Sequence, residues 1–276
     1  MLSSEELRYV AKSIVVEVAR SLRLRERRAH VLFRHGEDET REFDIYAESL
    51  AIDLIKRRIP DTIVVSEERG VVYLSSRPRF VVILDPVDGS MNYLSNIPWC
   101  SVSIAIAPYE ARSLDDVIAS AIASIDIDLV LSFSRDRGVF LEKDGIEKRV
   151  EIGRDVESQT VLTYIEHSKM LELLERLRHR LGKIHVRILG CISLELAQVA
   201  LNNAIATIDV RSKLRNIDIA AVYPMLLHLG KAVRVYTNSD DLVHRVVEGV
   251  SIIATHDRDL LEYIEQQCRE LGLLKF

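Results

Sequence analysis

Val81-Val-Ile-Leu-Asp-Pro-Val-Asp-Gly-Ser90 runs an apolar strand into two carboxylates, Asp85 and Asp88. Open α/β sheets place ligands at the carboxyl ends of their strands, which is where both acids fall. Pro86 drives Asp85 away from helical angles and forces a turn there. Such a turn can point the Asp85 and Asp88 carboxylates, with the Val87 carbonyl, at shared ions, and oxygen donors of this hardness suit Mg²⁺. Gly89 permits close backbone approach, and Ser90 can open a short helix whose N–H groups face a phosphate. A capped turn, with Asp85 and Asp88 bonding only local amides, fits the same residues equally well.

The flanks of this stretch define its setting. Upstream, Ser3 or Ser4 can cap a first helix, with Glu6 in capping-box spacing; Leu7, Val10, Ala11, Ile14, Val18 and Leu22 share one helical face. The polar run Arg34 to Glu42 separates it from a second amphipathic helix with Phe43, Ala47, Leu50 and Leu54, which Pro60 ends. Strand-like segments follow at Thr62–Glu68, Phe80–Asp85 and Cys100–Ala107, with two more between Ile118 and Phe133. Asp144-Gly145 marks a tight hairpin turn between alternating residues. Beyond it strands and helices alternate: TVLTYI, LELLERLRHRL, HVRIL, SLELAQVALNN, AIATIDV, the helix-like IDIAAVYPMLLHL, AVRVYT, SIIATH and a last helix in DLLEYIEQQCREL. The expected organisation is a sheet-rich half over residues 1–155, with an antiparallel sheet and most of the candidate ligands, and an α/β half over 156–276 packed on it.

Composition narrows the function. The 276 residues carry 37 Lys+Arg against 42 Asp+Glu, a formal charge of −5, which argues against a nucleic-acid partner. No apolar run is long enough to span a membrane, and MLSSEELRYV carries acids where a secretory leader has bases. Cys100, Cys191 and Cys268 form neither a CxxC pair nor a disulfide framework, so a cytoplasmic location is expected. No His spacing suggests zinc. Arg outnumbers Lys 28 to 9 while Asn and Gln total ten, which fits a heat-adapted source as well as a GC-rich genome. The basic run Arg20 to Arg28 lacks interleaved aromatics and reads as a solvated face.

Two more acidic clusters lie elsewhere. Ser66-Glu67-Glu68 ends another strand-like run, where adjacent acids also read as a solvated edge. Asp218, in Asn216-Ile-Asp-Ile-Ala-Ala221, sits early in a helix, where the dipole alone would favour it. In combination and order, SEE at 66–68, DPVDGS at 85–90 and DIAA at 218–221 resemble the inositol monophosphatase and fructose-1,6-bisphosphatase superfamily. Gly138-Val-Phe-Leu141 with Asp144-Gly145 is similar to that family's GAYLNG hairpin, and Arg187-Ile-Leu-Gly190 to the stretch before its sugar site. GEDETREFD and DVRSKLRNIDIA look most like the archaeal dual-activity branch, and the resemblance covers nearly the whole chain.

The resemblance implies a layered αβαβα sandwich of the sugar-phosphatase type, α+β to α/β in class. It implies two or three Mg²⁺: Glu67, Asp85 and the Val87 carbonyl on the first, Asp85, Asp88 and Asp218 on the second, Glu67 and Asp38 on a third. Asp44 and Glu68 would support these ligands, although Asp44 reads equally as a helix N-terminal acid. Hydrolysis would be direct, with Ser90 and Glu67 orienting the attacking water and Gly89 and Ser90 N–H groups holding the phosphate. Asp209 falls where the family bonds sugar or inositol hydroxyls, with Gly190 and Cys191 on the same wall. Arg187, Arg211 and Arg215 are available for a second phosphate, or for surface ion pairs. Tyr164 can stack on substrate or be buried in its strand. A small-molecule sugar or inositol phosphate substrate and a homodimer are expected on the same ground.

Four departures from the family pattern stand out: Ser90 for Thr, Ile217 for Trp, Val222 for Gly and Asn96 where Gly is frequent. None removes an implied ligand. Within the superfamily, a 3′-phosphoadenosine 5′-phosphate phosphatase or a strict inositol monophosphatase is the alternative. A haloacid-dehalogenase-type phosphatase would need one residue, not two, between its strand-end acids. A non-catalytic scaffold would be expected to have lost a ligand.

Overall fold

The computed structural model describes residues 2–27, 31–35, 38–153, 156 and 158–274, with the side chains of 31–40 outside the description. The capping box at Ser3 and Glu6 opens α1 (Ser4–Arg23) as its spacing predicts. Most of the run Arg34 to Glu42, which reads as an interruption, lies in two paired antiparallel strands, β1 (Val31–His35) and β2 (Asp38–Arg41), ahead of α2 (Glu42–Arg58). An eight-stranded sheet then collects β3 (Thr62–Ser66), β4 (Gly70–Tyr73), β5 (Phe80–Asp88), β6 (Ser101–Pro108), β7 (Ala119–Ser124), β8 (Val130–Ser134), β9 (Gly138–Lys143) and β10 (Ile146–Arg149). Its order is β10-β9-β8-β7-β6-β5-β3-β4. The sheet is not wholly antiparallel, because β3 runs parallel to β5. Asp144 and Gly145 both take positive φ at the β9–β10 turn, as a two-residue hairpin requires.

A short helix α3 (Ser90–Leu94) follows β5. After β10 come β11 (Thr160–Thr163), α4 (Ser168–Leu181), β12 (His185–Arg187), α5 (Ile192–Ala200), β13 (Ala206–Leu214), α6 (Asn216–Ala220), α7 (Tyr223–His228), β14 (Ala232–Tyr236), β15 (Val250–Thr255) and α8 (Arg258–Glu270). The five strands form a sheet ordered β12-β11-β13-β15-β14, parallel at β12-β11-β13 and antiparallel beyond. The single helix expected over IDIAAVYPMLLHL is two. Pro224 has no N–H to donate and is tolerated only in a first turn, so the chain closes α6 at Ala220 and restarts α7 at Tyr223.

Layering follows from strand periodicity. Along β5, Phe80, Val82 and Leu84 point into a core shared with α1 and α2, while Val81 and Ile83 point into a second core. That second core is filled from the other side by α5, α6 and α7 and by residues of the five-stranded sheet, Leu162, Ile252 and Ala254 among them. A third core, with Val161, Ile208 and Ile253, seats α4 and α8 on the outer face. The order is helices, sheet, helices, sheet, helices. Both faces of each central strand are buried, which is why these strands read as continuous apolar runs. Among the described residues, no helix is long and apolar enough to cross a membrane.

Candidate active site

The parallel pairing of β3 and β5 puts two strand ends side by side, with Ser66 opposite Leu84. Glu67 and Asp85, each the next residue, therefore leave the sheet on the same edge. Against β6 the pairing of β5 slips between Asp85 and Asp88, a bulge at Pro86 and Val87. A proline is at home in a bulge because it has no ladder bond to lose, and the bulge redirects the side chains that follow. Asp85 is buried, 2 % exposed, and its Oδ1 accepts the Val87 N–H at 3.1 Å. The local-amide bond that competes with a metal role is thus present, while Oδ2 is left over from it.

Asp88 reaches the N-terminus of α5. Its Oδ2 accepts the Ser193 N–H at 2.6 Å and the Cys191 thiol at 3.2 Å. Asp218 sits at the third position of α6, where its carboxylate accepts the Arg215 N–H at 2.7 Å. The Arg215 guanidinium crosses to pair with Glu67. Four acids from three separate stretches of sequence, 67, 85–88 and 218, thereby come within electrostatic reach of one another.

Their electrostatics show how closely they interact. Burial pushes the Asp85 carboxyl well above the carboxylate range, and Asp88, Asp218 and Glu67 push it further. Burial also raises Asp88, against the opposing bonds from Ser193 and Cys191. Asp218 is raised by burial, with Glu67 and Asp88 adding to it. All donors here are hard oxygens, and the charges repel one another, so the set suits hard divalent cations. Among the described residues no three such side chains already converge on one point. The reason is visible in the bonds above: each carboxylate is turned onto a neighbouring N–H, thiol or guanidinium.

The remaining candidates divide. Gly89, at φ +82°, caps α3 in the left-handed region, and a Cβ there would meet Trp99 O, Gly190 O and Cys191 Cβ at 3.0–3.1 Å. Ser90 begins α3 directly beside Asp88. Cys191 is buried behind the same wall, its thiol pushed up by burial and by Asp88. The loop carrying Gly190 is tied down by Asn92 Nδ2, which donates to Leu189 O at 2.6 Å and Trp99 O at 2.8 Å. Asp44 caps its own helix, accepting the Arg41 N–H at 3.2 Å, and burial with the nearby Glu67 pushes it up to about 8. Glu68 lies beside Asp44 and gives its N–H to Glu48. The side chain of Asp38 falls outside the described residues.

Asp209 is buried completely, but both its oxygens are taken by Arg211, through Nε at 3.0 Å and Nη2 at 2.7 Å. Arg211 also pairs with Glu166 at 2.8 Å and lies 3.7 Å over the Tyr164 ring. Tyr164 thus stacks on a protein guanidinium. Arg187 is exposed and donates to the Val186 carbonyl, and among the described residues no hydrogen bond or ion pair joins it to the acidic cluster. Of the three arginines, Arg215 is the one that reaches the carboxylates.

Sequence reasoning missed two buried acids. Glu195, on α5, accepts the Leu189 and Gly190 N–H groups at 3.2 and 2.9 Å and is pushed up to about 7 by burial. Glu48, on α2, binds the turn around Glu67. The available signal was an acid on an otherwise apolar helical face: Glu48 among Ala47, Ala51 and Ile52, and Glu195 among Leu194, Leu196 and Ala197.

The sequence profile of the inositol monophosphatase family matches residues 3–272. The chain belongs to that family. It is 31% identical to the inositol-1-monophosphatase of Aeropyrum pernix, over 84% of this chain and 85% of that one. It is 27% identical to the fructose-1,6-bisphosphatase/inositol-1-monophosphatase of Methanothermobacter thermautotrophicus, over 82% of each. In structure it resembles a hypothetical protein of Pyrococcus horikoshii described as having similarities to inositol-1 monophosphatase. The TM-score is 0.71 at 26% identity, covering 96% of this chain and 99% of the other. The archaeal branch of the superfamily is therefore where the chain stands.

Proposed function

We propose that this protein is a Mg²⁺-dependent phosphomonoester hydrolase that removes the 1-phosphate of fructose 1,6-bisphosphate and of inositol 1-phosphate. The observation that carries this reading is the set of repelling carboxylates, Glu67, Asp85, Asp88 and Asp218, at adjoining strand and helix ends. Glu67, Asp85 and the Val87 carbonyl would hold one ion, and Asp85, Asp88 and Asp218 a second; Asp38 with Glu67 is the place for a third. Bound there, Mg²⁺ supplies neutralisation of phosphate charge and the activation of water for attack. Arg215, paired with Glu67 where the first cation would sit, would have to give up that partner to it.

The chain's own groups do the rest. Glu67 and the Ser90 hydroxyl orient the attacking water. The N–H groups of Gly89 and Ser90 hold phosphate oxygens, and the left-handed turn at Gly89 leaves no Cβ in their way. Glu195 and Asn92 keep the Gly190–Cys191 wall in place from behind. Because Arg211 occupies Asp209, a sugar hydroxyl must displace part of that pair or bond to Arg211's neighbours. A homodimer belongs to the same reading and is checked by light scattering.

The test is phosphate release from fructose 1,6-bisphosphate, inositol 1-phosphate, 3′-phosphoadenosine 5′-phosphate and simple sugar phosphates, with Mg²⁺ titrated against a chelator. Release from the first two, lost in chelator, is expected. Activity confined to the nucleotide overturns the substrate claim. Asp85→Asn and Asp218→Asn should each cut kcat by about 100-fold or more; unchanged turnover in either would overturn the ligand assignment.

A further inference from the structure

Between β3 and β4 the chain reverses in three residues, Glu67, Glu68 and Arg69, with Ser66 paired to Gly70 across the turn. So tight a reversal leaves backbone N–H groups without ladder partners, and buried amides need an acceptor. The acceptor here comes from another element. Glu48, wholly buried on α2, uses one oxygen, Oε1, to accept the Glu68 and Arg69 N–H groups, both at 3.1 Å, and the Ser66 hydroxyl. Its second oxygen lies 3.1 Å from Arg69 Nε. The residues on either side of Glu67 are thus fastened to a single carboxylate oxygen, while Glu67 itself pairs with Arg215 and faces Asp85 and Asp218.

We infer that Glu48 is the positioning residue for Glu67: it sets the backbone from which Glu67 reaches the cation, without touching cation or substrate. Three donors converge on its Oε1, so a single side chain holds the whole turn. Asp44, one helical turn earlier on the same face, borders the same turn electrostatically, so α2 delivers both acids to it. The inference rests on the reading of Glu67 as a cation ligand.

Calorimetric titration of Mg²⁺ into chelator-stripped protein, paired with thermal melts, separates the possibilities. Glu48→Ala should weaken Mg²⁺ binding by about 10- to 100-fold, as loss of a group that orients a ligand does. Glu48→Gln, which retains an acceptor oxygen, should stay within about three-fold of wild type. Ile55→Ala, on the same helix and equally buried, should lower the melting temperature and leave Mg²⁺ affinity within about two-fold. A folded Glu48→Ala with wild-type affinity overturns the inference, as does an affinity loss in Ile55→Ala as large as in Glu48→Ala. Should Glu48→Ala not fold, Ser66→Ala removes one of the three donors and should weaken Mg²⁺ by about three- to ten-fold; unchanged affinity there overturns it equally. If the wild-type protein binds no Mg²⁺, the phosphatase reading falls and takes this inference with it. If the wild-type protein binds and Glu48→Ala binds alike, only this inference falls.

Discussion

Asp85 sits in an environment far from that of water. It is buried, bonded to one amide, and faced by three other acids, so its carboxyl is held well above the usual range. A carboxyl raised in the folded state binds a proton there that the unfolded chain has already lost, so stability falls as pH rises through and above the unfolded value. Chelator-treated protein should therefore melt at a higher temperature at mildly acid pH than at pH 8. Asp85→Asn should flatten that dependence and stabilise the chelated protein at neutral pH by about 2 kcal/mol, while Mg²⁺ no longer adds stability. Melts across pH with and without Mg²⁺ check both, and a steeper pH dependence in Asp85→Asn would contradict the account. At this scale the four acids were legible from motif spacing. Their partners were not: nothing in the local sequence couples Arg215 to Glu67 or Asp88 to Ser193, because those bonds join segments far apart in the chain.

At the scale of elements, the turn from β5 into α3 has no slack. Three atoms from two other segments crowd the place where a Gly89 side chain would be, and φ is already in the glycine region. Gly89→Ala should cost about 1–3 kcal/mol and, on the proposed phosphate role of the Gly89 and Ser90 N–H groups, reduce kcat more than KM. Denaturant melts and steady-state kinetics measure the two effects. Departures from the family pattern find reasons here too. Asn96 adopts φ +56°, a conformation asparagine tolerates better than most residues, so it can stand where glycine is frequent. Val222 has φ −94° and needs no glycine at all. Ile217 is buried in the central core, filling by aliphatic packing the position of the family's Trp. Element existence and order were legible from periodicity and turn residues. The split of the helix at Pro224 and the pairing of β1 with β2 were not: a proline's effect depends on where the preceding helix stops, and strands of four or five residues such as VLFRH and DETR are too short to show alternation.

At the scale of the whole molecule, the two sheets share one core. Val81 and Ile83 of the large sheet, Leu196 and Val222 of the middle helices, and Ile252 of the small sheet belong to a single buried cluster. Division at residue 155 is a feature of chain order, since the large sheet ends at Arg149 and the small one starts at Thr160. Residues 1–155 and 156–276 expressed alone would each expose one side of that cluster, a far larger apolar face than a soluble monomer carries. Neither should give a cooperative melt, whereas co-expression should restore one along with Mg²⁺ binding. An independently folding 1–155 fragment would show that the halves are separate folding units.

The layers and the acidic character of the strand ends follow from the order of residues along the chain. Apolar runs made the central strands, amphipathic stripes the covering helices, and strand-end acids next to Pro and Gly the acidic turns. These depend on short-range periodicity and backbone stereochemistry, which neighbouring residues carry. Which groups meet depends on packing between distant segments. The parallel register of β3 and β5 sets Glu67 beside Asp85, the approach of α6 adds Asp218, and Glu48 and Glu195 reach in from α2 and α5 to hold the turns. Such meetings arise where distant segments pack together, and a buried acid is tolerated there only when that packing brings its donors to it.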